Sequence, residues 1–297
     1  MSWQLTALDY WLRTVEKPRI TRENDVRHAR ARLERVSWLL SPYPATRAED
    51  RPLGHLPALR VAGPSGTEGR TLLWFHGGGY CLGSPRSHLE LAAAVARRAG
   101  GGVAVPAYRL APEHPFPAAA DDARAAYHAL LAEGCDPARL VVGGDSAGGG
   151  LALALLHMLL AEGAPPPVGV VAFSPWTDLT LSGESMTTLA GRDALLPAGR
   201  VAEMRALYLA GADPTDPRAS PILGAFTGAP PVLIQASDAE ILRDDATAMA
   251  ARLRADGVAV TLELWPGTPH VWQAFGRRLP EAAAALERAG AFVGGLW

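Results

Sequence analysis

Residues 139–150 read RLVVGGDSAGGG, and residues 151–156 continue as LALALL. Apolar, β-branched residues thus lead into a glycine pair, a serine and further glycines, after which the chain has helical character. Gly144, Ser146 and Gly148 fit the pattern G-x-S-x-G, in which a serine occupies a tight turn between a strand and a helix. Small residues on both sides let the chain turn without a clash of Cβ atoms. The stretch therefore predicts a strand, a sharp turn that exposes the Ser146 hydroxyl, and a helix.

From Leu56 onward, short apolar strands alternate with longer helical stretches. The predicted strands lie near Ala58–Ala62, Thr71–Phe75, Gly102–Ala107, Leu140–Val142, Gly169–Phe173, Val232–Ala236 and Val260–Trp265. The predicted helices lie near Ser87–Ala99, Ala118–Glu133, Ala147–Glu162, Arg243–Asp256 and Pro280–Val293. This alternation is typical of an α/β fold with a mostly parallel sheet that is flanked by helices.

Residues 1–48 differ from this pattern. Apolar residues recur there at helical spacing in two runs, and Lys17-Pro18 is predicted to end the first helix while Thr21 caps the second. The arginines of the second helix lack interleaved aromatic residues, so we interpret them as a solvated face and expect no nucleic-acid partner.

Residues 177–222 form the one long interruption of the α/β pattern, with helical pieces near Ser185–Ala190 and Gly199–Ala210. An excursion of this length between two core strands is usually functional. We expect it to pack with residues 1–48 over the carboxyl edge of the sheet. The predicted organisation is therefore a set of N-terminal helices at 1–48 and one α/β domain at 49–297, with an insertion at about 177–222.

The composition describes an ordinary globular protein. The chain has 297 residues, 48% of them hydrophobic, and a formal net charge of −2, which excludes a disordered or nucleic-acid-coating protein. Cys81 and Cys135 form no C-x-x-C pair and no disulfide framework, so a reducing compartment is expected. The histidines and cysteines show no ligand spacing, and no metal or other cofactor is expected.

Targeting and membrane signals are weak in this sequence. The N-terminus lacks a basic start, an apolar core and a small-residue cleavage site, so no signal peptide is predicted. The longest apolar run, residues 151–161, contains His157 and is too short to span a bilayer. A cytoplasmic protein without a membrane span is the expectation.

A second glycine motif precedes the serine turn. Residues 72–79 read LLWFHGGG, a strand that ends in His-Gly-Gly-Gly. Successive glycines let backbone N–H groups face one point, where they can stabilise an oxyanion. We assign this role to Gly78 and Gly79, with Gly77 as a further candidate, and add the N–H of Ala147, which follows the serine and begins a helix.

A serine nucleophile needs a histidine base, and the chain has eight histidines. Only His270, in LWPGTPH at 264–270, lies on a loop just after the last strand. The chain order serine, acid, histidine requires the base at that point.

The acid should follow the preceding strand, where residues 237–245 read SDAEILRDD. Asp238 and Glu240 are both within reach of His270. Position alone does not separate them.

Four motifs together resemble the bacterial hormone-sensitive-lipase family of esterases, which has the α/β-hydrolase fold. They are HGGG at 76–79, YRLAPEHPFPAA at 108–119, GDSAGG at 144–149 and Pro269-His270. The family's acid lies in an Asp-Pro-Leu-x-Asp segment, which matches residues 240–244, so the resemblance favours Glu240 over Asp238 even though a glutamate replaces the usual aspartate. It also implies a helical cap made of residues 1–48 and about 180–215, a preference for short- to medium-chain acyl groups, and a possible homodimer.

The resulting hypothesis is a carboxylic ester hydrolase that acts on a small-molecule ester through Ser146, His270 and Glu240. Hydrolysis of an amide, carbamate or lactone by the same residues, or a non-catalytic ligand-binding module, are the alternatives. The candidate residues of the substrate pocket and cap are Trp3, Trp11, Trp38, Met204, Leu207 and Tyr208.

Overall fold

The computed structural model describes residues 1–40 and 46–297, with the side chains of 38–40 outside that description. Eight strands form one sheet in the order β1-β2-β4-β3-β5-β6-β7-β8. The strands β1 and β2 are antiparallel to their neighbours and all other pairs are parallel. The strands are β1 (Glu49–Asp50), β2 (Ala58–Val61), β3 (Thr71–Phe75), β4 (Gly102–Pro106), β5 (Leu140–Asp145), β6 (Gly169–Phe173), β7 (Val232–Ser237) and β8 (Val260–Trp265).

Helices cover both faces of this sheet. They are α1 (Trp3–Trp11), α2 (Lys17–Arg22), α3 (Val26–Leu40), α4 (Pro85–Ala99), α5 (Ala118–Ala132), α6 (Ala147–Glu162), α7 (Ser185–Thr188), α8 (Ala198–Leu209), α9 (Arg243–Ala255) and α10 (Pro280–Gly294). The predicted α/β fold, with a mostly parallel sheet and flanking helices, is confirmed.

The core lies in two layers, one on each side of the sheet. Along β3, Leu73 and Phe75 point to the layer formed with α5, α6 and α9, and Leu72 and Trp74 point to the layer formed with α4 and α10. Because both faces of the strand are buried, its sequence is continuously apolar rather than alternating.

The N-terminal helices differ from the prediction. Pro18 does not end the first helix, because a π turn at Leu12–Glu16 continues α1 into α2 and Pro18 lies in the first turn of α2, where a missing N–H is tolerated. Thr21 is not a cap, since its hydroxyl donates to the Lys17 carbonyl one turn earlier. The side chain of Asp25 instead accepts hydrogen bonds from the backbone N–H groups of Arg27 and His28 as α3 begins.

The insertion between β6 and β7 contains α7 and α8 and contacts the N-terminal helices directly. The Lys17 ammonium group donates to the carbonyl oxygens of Ala190 at 2.8 Å and Asp193 at 2.7 Å. Arg13 donates to the carbonyl oxygens of Gly191 and Arg192. Among the residues that the structure describes, no helix is long and apolar enough to cross a membrane.

Candidate active site

The turn between β5 and α6 holds Ser146 in a strained backbone conformation, with φ of 55° and ψ of −123°. The Ser146 N–H donates to the Phe173 carbonyl at 2.8 Å, which fixes the turn against β6. A Cβ atom at Gly148 would collide with the carbonyl oxygens of Phe75 and His76. Glycine is therefore required where the new helix passes the end of β3, and the strand–turn–helix predicted from this stretch is present.

The glycines after β3 also have backbone conformations that favour glycine. Gly78 has φ of 118° and Gly79 has φ of 61°. Their N–H groups donate to no acceptor within residues 1–40 and 46–297. The N–H of Gly77 is engaged, because it donates to the Asp145 carboxylate at 3.1 Å. Ala147 is the first residue of α6, where N–H groups have no partner inside the helix.

His270 lies on the loop after β8 and Glu240 on the loop after β7. The His270 Nδ1 atom is 2.5 Å from Glu240 Oε2, and both residues are buried, with exposed fractions of 5% and 1%. The second carboxylate oxygen of Glu240 accepts hydrogen bonds from the Ser174 hydroxyl at 2.9 Å and the Ser237 N–H at 2.7 Å. The carboxylate is therefore fixed on both oxygens and holds the imidazole in one orientation.

Asp238 has a different set of contacts. Its carboxylate accepts a hydrogen bond from the Gly267 N–H at 2.8 Å, and its own N–H donates to the Trp265 carbonyl at 3.0 Å. It thus holds the loop that leads to His270, while Glu240 is the carboxylate that bonds to the ring.

The electrostatics favour a positive charge on His270. Burial lowers the pKa of His270, but the charge of Glu240 and its hydrogen bond outweigh burial, and the net pKa is raised above the ordinary value. Asp193 and Asp145 add to this effect. An imidazole that takes up a proton during a reaction is therefore stabilised here.

Asp145, next to the serine, links the two glycine motifs. Besides the Gly77 N–H, its carboxylate accepts the Trp74 indole N–H at 3.0 Å and lies 3.3 Å from His88 Nε2. Burial raises the pKa of Asp145, but the charge of His88 and the hydrogen bonds outweigh burial, and the net pKa is lowered. Asp145 in turn raises the pKa of His88, against the lowering effect of burial.

His76 braces the glycine loop. Its ring stacks on Tyr108 with a centroid separation of 4.3 Å, and its Nδ1 lies 2.8 Å from the Gly77 carbonyl oxygen. The Tyr108 hydroxyl donates to the His76 carbonyl at 2.7 Å. Burial and the neighbouring charge of His88 lower the pKa of His76 to about 3, so the ring is neutral.

Sequence reasoning missed the partners that orient the main residues. The Ser174 hydroxyl donates to the Glu240 carboxylate, and His88 contacts the Asp145 carboxylate. The Asp193 carboxylate accepts the N–H of Ile241. Ser174 directly follows β6, so its position at the carboxyl end of a central strand was the available signal.

One cavity of about 870 Å³ contains the predicted site residues Gly78, Gly79, Ser146 and His270 in its wall. Residues from α1, α2, α3 and α8 form other parts of the wall, among them Trp11, Ile20, Leu33, Val201 and Met204. The N-terminal helices and the insertion therefore enclose the space next to Ser146.

Only part of the predicted pocket faces this cavity. Trp11 and Met204 line it, whereas Trp3 is 76% exposed on the outer surface of α1 and does not, which corrects its assignment. Leu207 and Tyr208 also lie outside the wall, because both pack into the core, where Tyr208 stacks on Tyr80 at 3.9 Å. Trp38 belongs to α3, but its side chain falls outside the described residues. The type of residue does not show whether a large apolar side chain faces the core, the cavity or the solvent.

Comparisons with known proteins agree with this geometry. The sequence model of a family described as having the alpha/beta hydrolase fold matches residues 72–274. An acetyl-hydrolase of Streptomyces hygroscopicus is 48% identical over 241 residues, which are 81% of this chain and 80% of that protein.

Two similar crystal structures cover the whole chain. An esterase from the bacterial hormone-sensitive-lipase family has a TM-score of 0.93 and 39% identity, covering 100% of this chain and 99% of the other. A crystal of EstE5 soaked by p-nitrophenyl butyrate has a TM-score of 0.94 and 37% identity, with coverage of 100% and 99%. With a family match over most of its length and esterase relatives along all of it, this chain belongs to the α/β-hydrolase family, among the esterases of the bacterial hormone-sensitive-lipase family.

Proposed function

We propose that this protein hydrolyses carboxylic esters through a catalytic triad of Ser146, His270 and Glu240. The observation that carries the proposal is the buried hydrogen bond between Glu240 and His270, a histidine that lines the same cavity as Ser146. A serine in a strained turn, an oriented histidine and free N–H donors nearby are the parts that acyl transfer from an ester requires.

In the proposed first step, the Ser146 hydroxyl attacks the ester carbonyl while His270 Nε2 accepts its proton. The N–H groups of Gly78, Gly79 and Ala147 hold the oxyanion of the tetrahedral intermediate. The intermediate collapses to an acyl-enzyme on Ser146 as His270 gives the proton to the leaving alcohol. Glu240 keeps the ring in the required tautomer and stabilises its positive charge.

In the second step, water attacks the acyl-enzyme with His270 again as the base. The tetrahedral intermediate releases the carboxylic acid and restores the Ser146 hydroxyl. Both steps use the same donors and the same base, so no further side chain is needed for turnover.

The preferred substrates are proposed to carry short- to medium-chain acyl groups, with residues 1–40 and the insertion acting as a cap over the site. A cavity of about 870 Å³ with Trp11, Val201 and Met204 in its wall has the volume and the apolar lining of a small-molecule site. The relative named acetyl-hydrolase and the soaking of EstE5 with p-nitrophenyl butyrate are consistent with this range. Formation of a homodimer stays a prediction.

The experiment is a series of p-nitrophenyl esters from acetate to laurate, with wild type, Ser146→Ala and Ser37→Ala. Ser37 lies in α3 and lines the same cavity, so it is the matched control. We expect activity to peak at short chains and to fall by about 10⁴-fold or more in Ser146→Ala alone. A folded wild type without activity on any ester, or an active Ser146→Ala, would overturn the proposal.

A further inference from the structure

Arg200 is a buried cation in the wall of the active-site cavity. It lies in the first turn of α8, and its exposed fraction is 9%. Arg200 itself lines the cavity together with Val201 and Met204 of the same helix, so this face of α8 is turned toward the site. The mechanism proposed above gives Arg200 no role.

The guanidinium group of Arg200 is only partly satisfied. Its Nη1 bonds to the carboxylate of Glu203, whose side chain is 58% exposed. The buried Nε–H has no hydrogen-bond partner within the described parts of the chain. An unpaired buried donor on a charged group is costly, and it indicates an acceptor that is supplied from outside the protein chain.

The position of Arg200 places that acceptor close to the reaction. Met204, one turn further along α8, packs against Gly79 of the glycine loop. Burial raises the pKa of the Cys81 thiol to about 12, and the positive charges of Arg30 and Arg200 oppose this rise. The charge of Arg200 therefore reaches the same loop, two residues beyond Gly79.

The other arginines of the cavity wall are either paired with a carboxylate or exposed to solvent. Arg32 is bonded to the carboxylate of Glu16. Arg86 has a side chain that is 74% exposed, with Asp50 at 3.8 Å. Arg200 is therefore the cavity arginine in the described residues that is both buried and incompletely bonded.

We propose that Arg200 binds a carboxylate carried by the ester substrate, so that the enzyme favours esters with an anionic group away from the scissile bond. A small rotation of the side chain exposes the buried Nε–H, and the edge of the guanidinium that includes Nε and Nη2 can then engage a carboxylate through two parallel hydrogen bonds, while Glu203 keeps Nη1. This inference rests on the proposed esterase function and specifies its substrate class.

Two matched substrate pairs test the inference. The first is 4-acetoxybenzoate against 4-acetoxybenzamide, with the carboxylate on the alcohol side, and the second is monomethyl adipate against methyl hexanoate, with it on the acyl side. For each pair the ratio of kcat/KM, charged over neutral, is measured by product formation. Comparing this ratio between enzyme variants removes differences in intrinsic ester reactivity.

In at least one pair, Arg200→Gln is expected to lower the ratio by about tenfold or more, because a hydrogen-bonded charge is lost. Glu203→Gln is expected to raise it at least about twofold, since a repelling carboxylate is removed. The control Arg86→Gln should stay within about twofold of wild type, as expected for an exposed charge.

A ratio that stays within twofold of wild type in both pairs for Arg200→Gln and Glu203→Gln would overturn the inference. An equal fall in Arg86→Gln would also overturn it, since the effect would then come from the general field of the cavity. Hydrolysis of the neutral esters by wild type reports separately on the proposed function. If wild type hydrolyses neither member of either pair, the inference fails, and the p-nitrophenyl series decides the proposed function.

Discussion

Asp193 Oδ2 accepts a hydrogen bond of 2.9 Å from the N–H of Ile241, the residue that follows Glu240. Its other oxygen accepts the N–H groups of Leu195 and Leu196, both at 2.8 Å, and its exposed fraction is 1%. Since Lys17 binds the Asp193 carbonyl, one short segment joins the N-terminal helices, the insertion and the loop that carries Glu240.

Asp193→Ala should therefore disturb both folding and the site. Three N–H groups lose their acceptor, that of Ile241 in a buried and those of Leu195 and Leu196 in a partly buried position, so we expect the free energy of unfolding to fall by about 1–3 kcal/mol for each group that water cannot reach. We also expect kcat/KM for a short-chain ester to fall by about tenfold or more, because a small shift of Glu240 misaligns His270.

The matched control is Asp178→Ala. Asp178 is also a buried carboxylate of the insertion, but it bonds to Thr180 and Ser182 and not to the loop after β7. We expect a loss of stability with little change in kcat/KM. Equal effects of the two substitutions on kcat/KM would show that Asp193 has no special link to the site.

The choice of acid predicts unequal effects at two neighbouring positions. Glu240→Ala removes the carboxylate that bonds to His270, and kcat should fall by about 10⁴-fold, as for the aspartate of other triads. Asp238→Ala removes a hydrogen bond to Gly267 and should cost less than about tenfold. Steady-state kinetics on one short-chain ester distinguish the two, and the reverse order would transfer the acid role to Asp238.

The raised pKa of His270 predicts the pH dependence of the reaction. The ring must be neutral to accept the serine proton, so kcat/KM should rise with pH through a midpoint above the ordinary histidine value of about 6.5. In Glu240→Gln the main stabilising charge is lost while burial still disfavours the cation, so the residual activity should have its midpoint at lower pH. An unchanged midpoint in Glu240→Gln would contradict the electrostatic coupling.

The same pKa has a consequence for stability. The folded state favours the protonated ring, so this contribution is fully present below the pKa of the unfolded state. It is lost as the pH rises through the raised pKa of the folded protein.

The sheet could be predicted because its physical signals are local. The bounds of β3, β6 and β8 are those predicted from the sequence. Runs of buried apolar residues mark β3 and β6, whereas β8 is a partly exposed strand at the edge of the sheet, and in its first five residues apolar and polar side chains alternate. The strand β1 was missed because it is two residues long, exposed, and formed only by pairing with β2. Pro18 was misjudged because a π turn, which sequence periodicity does not show, continues the helix.

The candidate site likewise contains residues that the sequence predicts and contacts that it does not. Glycine motifs and chain order predicted Ser146, His270 and the glycine loop because backbone geometry requires those residue types at those spacings. The roles of Asp193, Ser174 and His88 arise from hydrogen bonds across long sequence separations. No spacing in the sequence encodes such contacts, and none encodes whether Trp3 faces the cavity or the solvent.

The most direct test of the central claim is to label Ser146 with a phosphonate, which forms a stable analogue of the tetrahedral intermediate on the nucleophile. Wild type and Ser146→Ala are treated with a p-nitrophenyl alkylphosphonate, and intact mass, p-nitrophenol release and the modified peptide are measured. The account predicts one equivalent of p-nitrophenol, one phosphonyl group on Ser146 and complete loss of esterase activity in wild type, with no reaction in Ser146→Ala. Labelling at another residue with loss of activity, or the same labelling in Ser146→Ala, would contradict it.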